Sequence, residues 1–191
     1  MRRRRLLTLF RDHGGVAAIE FAFALPILCM MVFGMYEVSQ GVVCYYKMID
    51  AANSIADLVG QTTVAQGGLG NTDFDNLYTA GQLVMSPNAG ANLKLDIASV
   101  TFNAAGTRAT QAWQVERGGQ SAIAAATLQA AALALVVKSG SVIVVQASYS
   151  YTSALNYFIT TPISMTYQTF AFPRNLPQIA CPPPSSAETC N

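Results

Sequence analysis

The chain has 191 residues, of which 52% are hydrophobic and 11% charged, with a formal net charge of +1. A soluble domain carries roughly 25% charged residues, so part of the apolar excess belongs away from water. The charge is also uneven. Five arginines (Arg2, Arg3, Arg4, Arg5 and Arg11) face only Asp12 in residues 1–15, whereas six Lys or Arg face nine Asp or Glu from Val16 onward. A nucleic-acid-binding surface needs cations spread over a folded face, and the body of the chain lacks them.

A basic block directly before an apolar run reads instead as a cytoplasmic flank under the positive-inside rule. The run is Val16–Tyr36, VAAIEFAFALPILCMMVFGMY, 21 residues with Glu20 as its one ionisable group. About 20 apolar residues at a helical rise of ~1.5 Å cross a hydrocarbon core of ~30 Å. The run is too long for a secretory signal, whose apolar region spans ~7–15 residues, and no small-residue cleavage site follows it. The expectation is a single membrane-spanning helix over residues 16–36, N-terminus cytoplasmic. Glu20 lies one turn past Val16, and burying its charge requires a partner. Pro26 removes one helical hydrogen bond, which membrane helices tolerate where neighbours compensate. Cys29 reads as an inert thiol in lipid.

Past Tyr36 the helical spacing continues through Val38, Val42, Tyr45, Ile49, Ala52, Ile55/Ala56 and Val59, with Lys47, Asp50, Asn53 and Asp57 between them. This predicts an amphipathic extension over residues 37–60, with Gly60 as its stop. Thr62–Gly70 reads as a loop. A short helix follows, capped by Thr72 or Asp73, with Leu77, Ala80/Gly81 and Val84 inward and Ser86-Pro87 as its end. Asn92–Phe102 alternates as a strand, Leu93, Leu95 and Ile97 on one face and Lys94 and Asp96 pointing away. Asn103–Thr107 is a turn into a second strand, Thr110–Glu116. Ser121–Lys138 is alanine-rich and long enough for a helix, though its type is open, and its apolar part, Leu128–Val137, is too short to span. Ser141–Tyr151 and Ser164–Phe172 are the third and fourth strands. Tyr149, Tyr151, Tyr157 and Tyr167 read as cross-strand packing. Residues 61–174 thus form one α+β unit with an antiparallel sheet. The tail, residues 175–191, is proline-rich and irregular, and in an oxidising compartment Cys181 and Cys190 close a disulfide loop across it.

The residues around the start of the apolar run carry a more specific signal. Gly14-Gly15 precedes Val16, glutamate stands fifth from Val16, and Phe21 follows it. This resembles the processing site of type IV prepilins. More closely, GGVAAIEFAFALP, Gly14–Pro26, resembles the TadE/TadG pseudopilins of the tight-adherence pilus, which open with glycine, a small apolar stretch, Glu-Phe and a proline six residues past the glutamate. Similarity extends to DFDNLYTAGQLVMSP, to GSVIVVQASYSY and to the closing FAFPR that ends at Arg174. The resemblance implies a pilin-like spine helix bearing a periplasmic antiparallel sheet. It implies a leader, residues 1–15, cut by a prepilin peptidase between Gly15 and Val16, on the inner-membrane face. Glu20, with Phe21 and Pro26, would then set the register between packed subunits. The implied partners are the membrane, the peptidase, other pilins or pseudopilins and the assembly platform. The alternative is an uncleaved, membrane-tethered periplasmic binding or adhesin domain.

Catalysis has little to work with. The only histidine, His13, lies in the leader, which removes His-based triads and zinc sites from a processed chain. Gly67-Gly68-Leu69-Gly70 lacks the lysine of a phosphate loop. The expectation is no enzyme, no cofactor, no metal and no nucleic acid.

Overall fold

A computed structural model describes residues 14–62, 68–135 and 140–181. Residues 1–13, 63–67, 136–139 and 182–191 lie outside the described residues, and with them most of the expected leader, the end of the alanine-rich segment and Cys190. The chain is α+β. Helix α1 runs unbroken from Gly14 to Gly60, 47 residues with Pro26 inside it; at ~1.5 Å per residue it is ~70 Å long. Helix α2 spans Asn71–Val84, α3 spans Ala125–Leu133, and the strands are β1 Leu93–Phe102, β2 Ala109–Arg117, β3 Gly140–Tyr151 and β4 Ile163–Ala171. The four strands form one antiparallel sheet in the order β2-β1-β3-β4.

The sheet is central to three layers. Leu93, Leu95 and Ile97 of β1 and Ile143, Val145, Ala147, Tyr149 and Tyr151 of β3 pack onto Cys44, Met48, Ile55 and Val59 of α1 and Phe74 of α2. On the other face Ala98, Val100, Val142 and Val144 meet Leu128 and Ala132 of α3. Each fully buried aliphatic side chain contributes about 1.5–3 kcal/mol relative to leaving it exposed, so β1 and β3, covered on both faces, hold the fold. One extra residue in β2, Ala112, shifts the β1–β2 register between Ser99 and Val100; the bulge sets Trp113 toward the spine and Gln114 toward α3.

Four sequence expectations change. Over residues 37–48 the seam of α1 against the sheet is turned by one residue, about 100° around the helix, from the predicted stripe, whereas Ala52, Ile55, Ala56 and Val59 are buried as the stripe has them. Glu37, Gly41, Cys44, Met48, Ala51/Ala52, Ile55 and Val59 are buried, while Val38, Val42 and Tyr45 face outward. Small residues win the inner position because they let the helix lie close: a Cβ on Gly41 would sit 3.5 Å from the Tyr151 ring. Second, α2 begins after Gly70 rather than at Thr72 or Asp73. Asp73 is its third residue, and its carboxylate accepts the Gly70 N–H at 2.9 Å, which satisfies a donor at the helix start. Its inward residues are Phe74 and Gly81, with Leu77 half-buried and Val84 exposed. Third, Asp96 points away from the spine but not into water. It is 1% exposed, beneath the segment leading into α3, and accepts from Gln114 Nε2 at 2.7 Å and Ile123 N at 2.8 Å. Fourth, Tyr157 lies in the β3–β4 loop and not on a strand, and it is exposed. Tyr149 and Tyr151 do pack inward, and the Tyr149 hydroxyl donates to Ala89 O at 3.1 Å.

The described tail residues have no helix or strand, yet they close over the far end of the spine. Arg174 N donates to Gly60 O at 2.9 Å and Asn175 Nδ2 to Gln61 O at 3.1 Å, which occupies two carbonyls at and just past the helix C-terminus. Ile179 is buried, and its carbonyl accepts from Trp113 Nε1 at 2.8 Å. Cys181 is disulfide-bonded, whereas Cys29 and Cys44 are free.

Candidate functional site: the spine helix

The first 23 residues of α1, Gly14–Tyr36, extend beyond the sheet, and the β3–β4 loop reaches back to their second half. Val16, Phe21, Phe23, Ile27, Met31 and Val32 are all more than half exposed. Among the described residues this is the one helix long and apolar enough to cross a membrane. Side chains of this kind project on every side of the helix, which suits lipid or other apolar helices and not water.

Gly15, Val16, Glu20, Phe21 and Pro26 all lie on this exposed stretch; Pro26 lines a cavity with Leu155 and Tyr157 of the β3–β4 loop, and among the described residues the other four are exposed and away from the sheet. A Cβ at Gly15 would meet nothing within 4 Å. Val16 and Glu20 are one turn apart on one face, and Glu20 has no ion-pair partner among the described residues. Of the cysteines expected to pair, Cys181 is half-buried at the end of the described chain. Among the described residues no three His, Cys, Asp or Glu side chains group closely enough to hold a metal.

A second acid on the same helix has a larger structural role than its sequence position implies. Glu37 closes the apolar run and reads as a polar flank. It is 1% exposed, and its two carboxylate oxygens accept three successive backbone N–H groups from the β3–β4 loop: Tyr157 at 2.8 Å, Phe158 at 2.9 Å and Ile159 at 2.8 Å. Burial pushes its pKa up, but these three bonds together with the Ser153 hydroxyl outweigh it and hold the carboxyl at about 2. The ion is stabilised without a cation, because three aligned N–H dipoles supply the positive potential. Nothing local in the sequence signals this pairing, whose partners lie 120 to 122 residues downstream.

Above Glu37 the helix carries two apolar seams. The inner one meets the sheet. The outer one, Val38, Val42, Val43, Tyr45 and Tyr46, is 37–61% exposed and continues the apolar surface of the first 23 residues up the side of the domain. A helix with this much uncovered apolar surface is suited to being covered by another surface.

No curated protein and no solved structure matches the chain. Residues 15–57 match the family model described as TadE-like protein, a match that covers the spine from the glycine before Val16 to the last turn of α1.

Proposed function

We propose that the protein is a minor pilin or pseudopilin of a tight-adherence pilus assembly and secretion system, and that it acts by helix packing rather than by catalysis. The observation that supports this most directly is that the TadE-like match, residues 15–57, falls on the helix whose apolar surface the domain leaves uncovered. In this reading residues 16–36 lie in the inner membrane, residues 37–60 continue the spine outside it, and residues 61–174 form a periplasmic domain that shapes the subunit's outer surface, with residues 175–191 as its tail. A prepilin peptidase cuts between Gly15 and Val16 on the cytoplasmic side. Glycine at the cut position lets an extended backbone enter a protease groove.

Cutting there frees the Val16 α-amine one turn from Glu20. Pairing of Glu20 with the Val16 amine of a neighbouring subunit removes two charges from lipid and fixes the axial register of the two helices, the role best attested for buried ion pairs. Phe21 and Pro26 shape the same contact surface. The outer seam through Val38, Val42 and Tyr45 extends this packing beyond the membrane, toward other subunits and the assembly platform.

Intact mass of the chain expressed with and without a prepilin peptidase is the test. The expected result is peptidase-dependent loss of residues 1–15 and a mature N-terminus at Val16. Retention of the leader arginines in the presence of an active peptidase refutes processing and leaves a membrane-tethered binding or adhesin domain. In processed chains, Glu20→Ala is expected to abolish recovery with partner subunits while leaving membrane insertion intact; unchanged recovery refutes the register role.

A further inference from the structure

The β3–β4 loop, Thr152–Pro162, has no charged residue in its eleven positions. Its tip is apolar and uncovered: Leu155 is 45% exposed, Tyr157 64% and Phe158 49%. The Tyr157 and Phe158 rings meet edge to face with centroids 5.0 Å apart, so the tip is one aromatic unit. A solvent loop of a domain this size would ordinarily carry polar residues there.

The tip does not sit beside the domain. It runs back along α1, below the sheet. Phe158 lies against Gly34, where a Cβ would come within 3.4 Å of its ring. Leu155 and Tyr157 line a cavity of about 460 Å³ with Pro26, Cys29, Met30 and Phe33. These helix residues precede Tyr36 by three to ten positions, which is ~5–15 Å along the axis. The loop tip is therefore level with the part of the helix read as membrane-spanning.

Irregular backbone at that depth is tolerated only where its polar groups are satisfied within the protein. Here they are. The N–H groups of Tyr157, Phe158 and Ile159 all go to Glu37, and Asn156 N donates to Ser153 Oγ at 3.4 Å. Four consecutive donors are met without water, and the carboxylate that meets three of them is itself sealed. Tyr157, with an apolar body and a polar hydroxyl tip, suits the interface, and Phe158 beside it is wholly apolar.

We propose that the β3–β4 loop enters the outer leaflet of the bilayer that α1 crosses, with acyl chains covering Leu155, Tyr157 and Phe158, and that Glu37 is the clamp that makes its backbone compatible with lipid. The loop and helix then form a two-point anchor that fixes the tilt of the domain on the membrane. This rests on the membrane reading of residues 16–36, and the test separates the two.

The full chain is reconstituted into phosphatidylcholine/phosphatidylglycerol vesicles containing lipid brominated on its acyl chains. Tryptophan is placed at the loop by Tyr157→Trp and in the span by Val32→Trp, and spectra are taken as differences from wild type, so that Trp113 cancels. The expected result is loss of emission to brominated acyl chains and a blue shift for both variants, with no quenching by aqueous iodide. Quenching of V32W by lipid but of Y157W by iodide overturns the loop insertion and leaves the span standing. Failure of V32W to respond to lipid overturns the span and the insertion together. Protection of Y157W from both quenchers places protein over the tip, a second copy if dilution in lipid removes the protection, and overturns lipid as the occupant. Phe158→Trp reads the same tip independently of whether Y157W folds.

Discussion

Gly118 and Gly119, which follow β2, provide a controlled test of how the sheet is held to α2. Both have left-handed backbone, φ +69° and +72°, so a side chain at either costs about 1–2 kcal/mol in local strain. Their surroundings differ completely. A Cβ at Gly119 meets nothing within 4 Å, whereas one at Gly118 would stand 2.4 Å from Leu93 O and 2.5 Å from the Tyr78 hydroxyl. The first of these is backbone and cannot swing away. The clash also falls on the bond between them, in which Tyr78 Oη donates to Leu93 O at 3.0 Å, worth about 0.5–1.5 kcal/mol. Gly119→Ala should therefore lower stability by about 1–2 kcal/mol. Gly118→Ala adds the lost bond and an overpacking cost of about 1–3 kcal/mol, for a total of about 2.5–6.5 kcal/mol. At roughly 4 °C per kcal/mol for a domain of this size, thermal unfolding followed by far-ultraviolet circular dichroism in detergent should separate the two variants by at least about 6 °C. Equal destabilisation by the two substitutions would refute the close approach of β2's end to β1 and α2.

Two further outcomes concern buried acids. Glu37→Gln replaces one acceptor oxygen with a donor facing the loop amides, so faster hydrogen exchange at residues 157–159 and new protease cuts within 152–162 are expected, without loss of the sheet. Because the Glu37 carboxyl is held at about 2, below its ordinary 4.5, its stabilisation is complete above the ordinary value, shrinks as pH falls below it and is gone below about 2; E37Q exchange should show no such dependence. Asp96 has the opposite sign, since burial, and next to it the Glu116 charge, raises its pKa against the bonds from Ile123 and Gln114. The folded state holds its proton more tightly, so stability falls as pH rises past the ordinary carboxylate range. Asp96→Asn should match wild type at acidic pH and melt higher at neutral pH; a lower neutral melting temperature would contradict this assignment.

What could be read from sequence is what depends on short-range pattern. The apolar run and its continuation to Gly60 specify a spine whatever it packs against, and period-two alternation places the strands to within one or two residues. Orientation was less legible. The inner seam of α1 is built from Gly41, Cys44, Ala51 and Ala52, which score poorly as a hydrophobic stripe, so Val38, Val42 and Tyr45 look like the core side when they are the outer one. Asp96 alternates outward correctly, but only tertiary structure supplies the layer that covers it. Gly15, Val16, Glu20 and Phe21 lie on an exposed stretch of helix that the described domain does not cover, so the fold of the single chain adds nothing to what their sequence pattern implies. Glu37 lay hidden for the opposite reason, because its three donors come from a loop more than a hundred residues away.

The two seams of α1 have a mechanical consequence. They lie about 100° apart on one helix, so a neighbour can grip the outer seam while the sheet keeps its hold on the inner one. Traction on the helix along its axis is then carried past the domain rather than through it. On the proposed reading, a neighbour that packs on the outer seam leaves the inner seam and its sheet undisturbed, so the domain would follow the spine as cargo follows a rail.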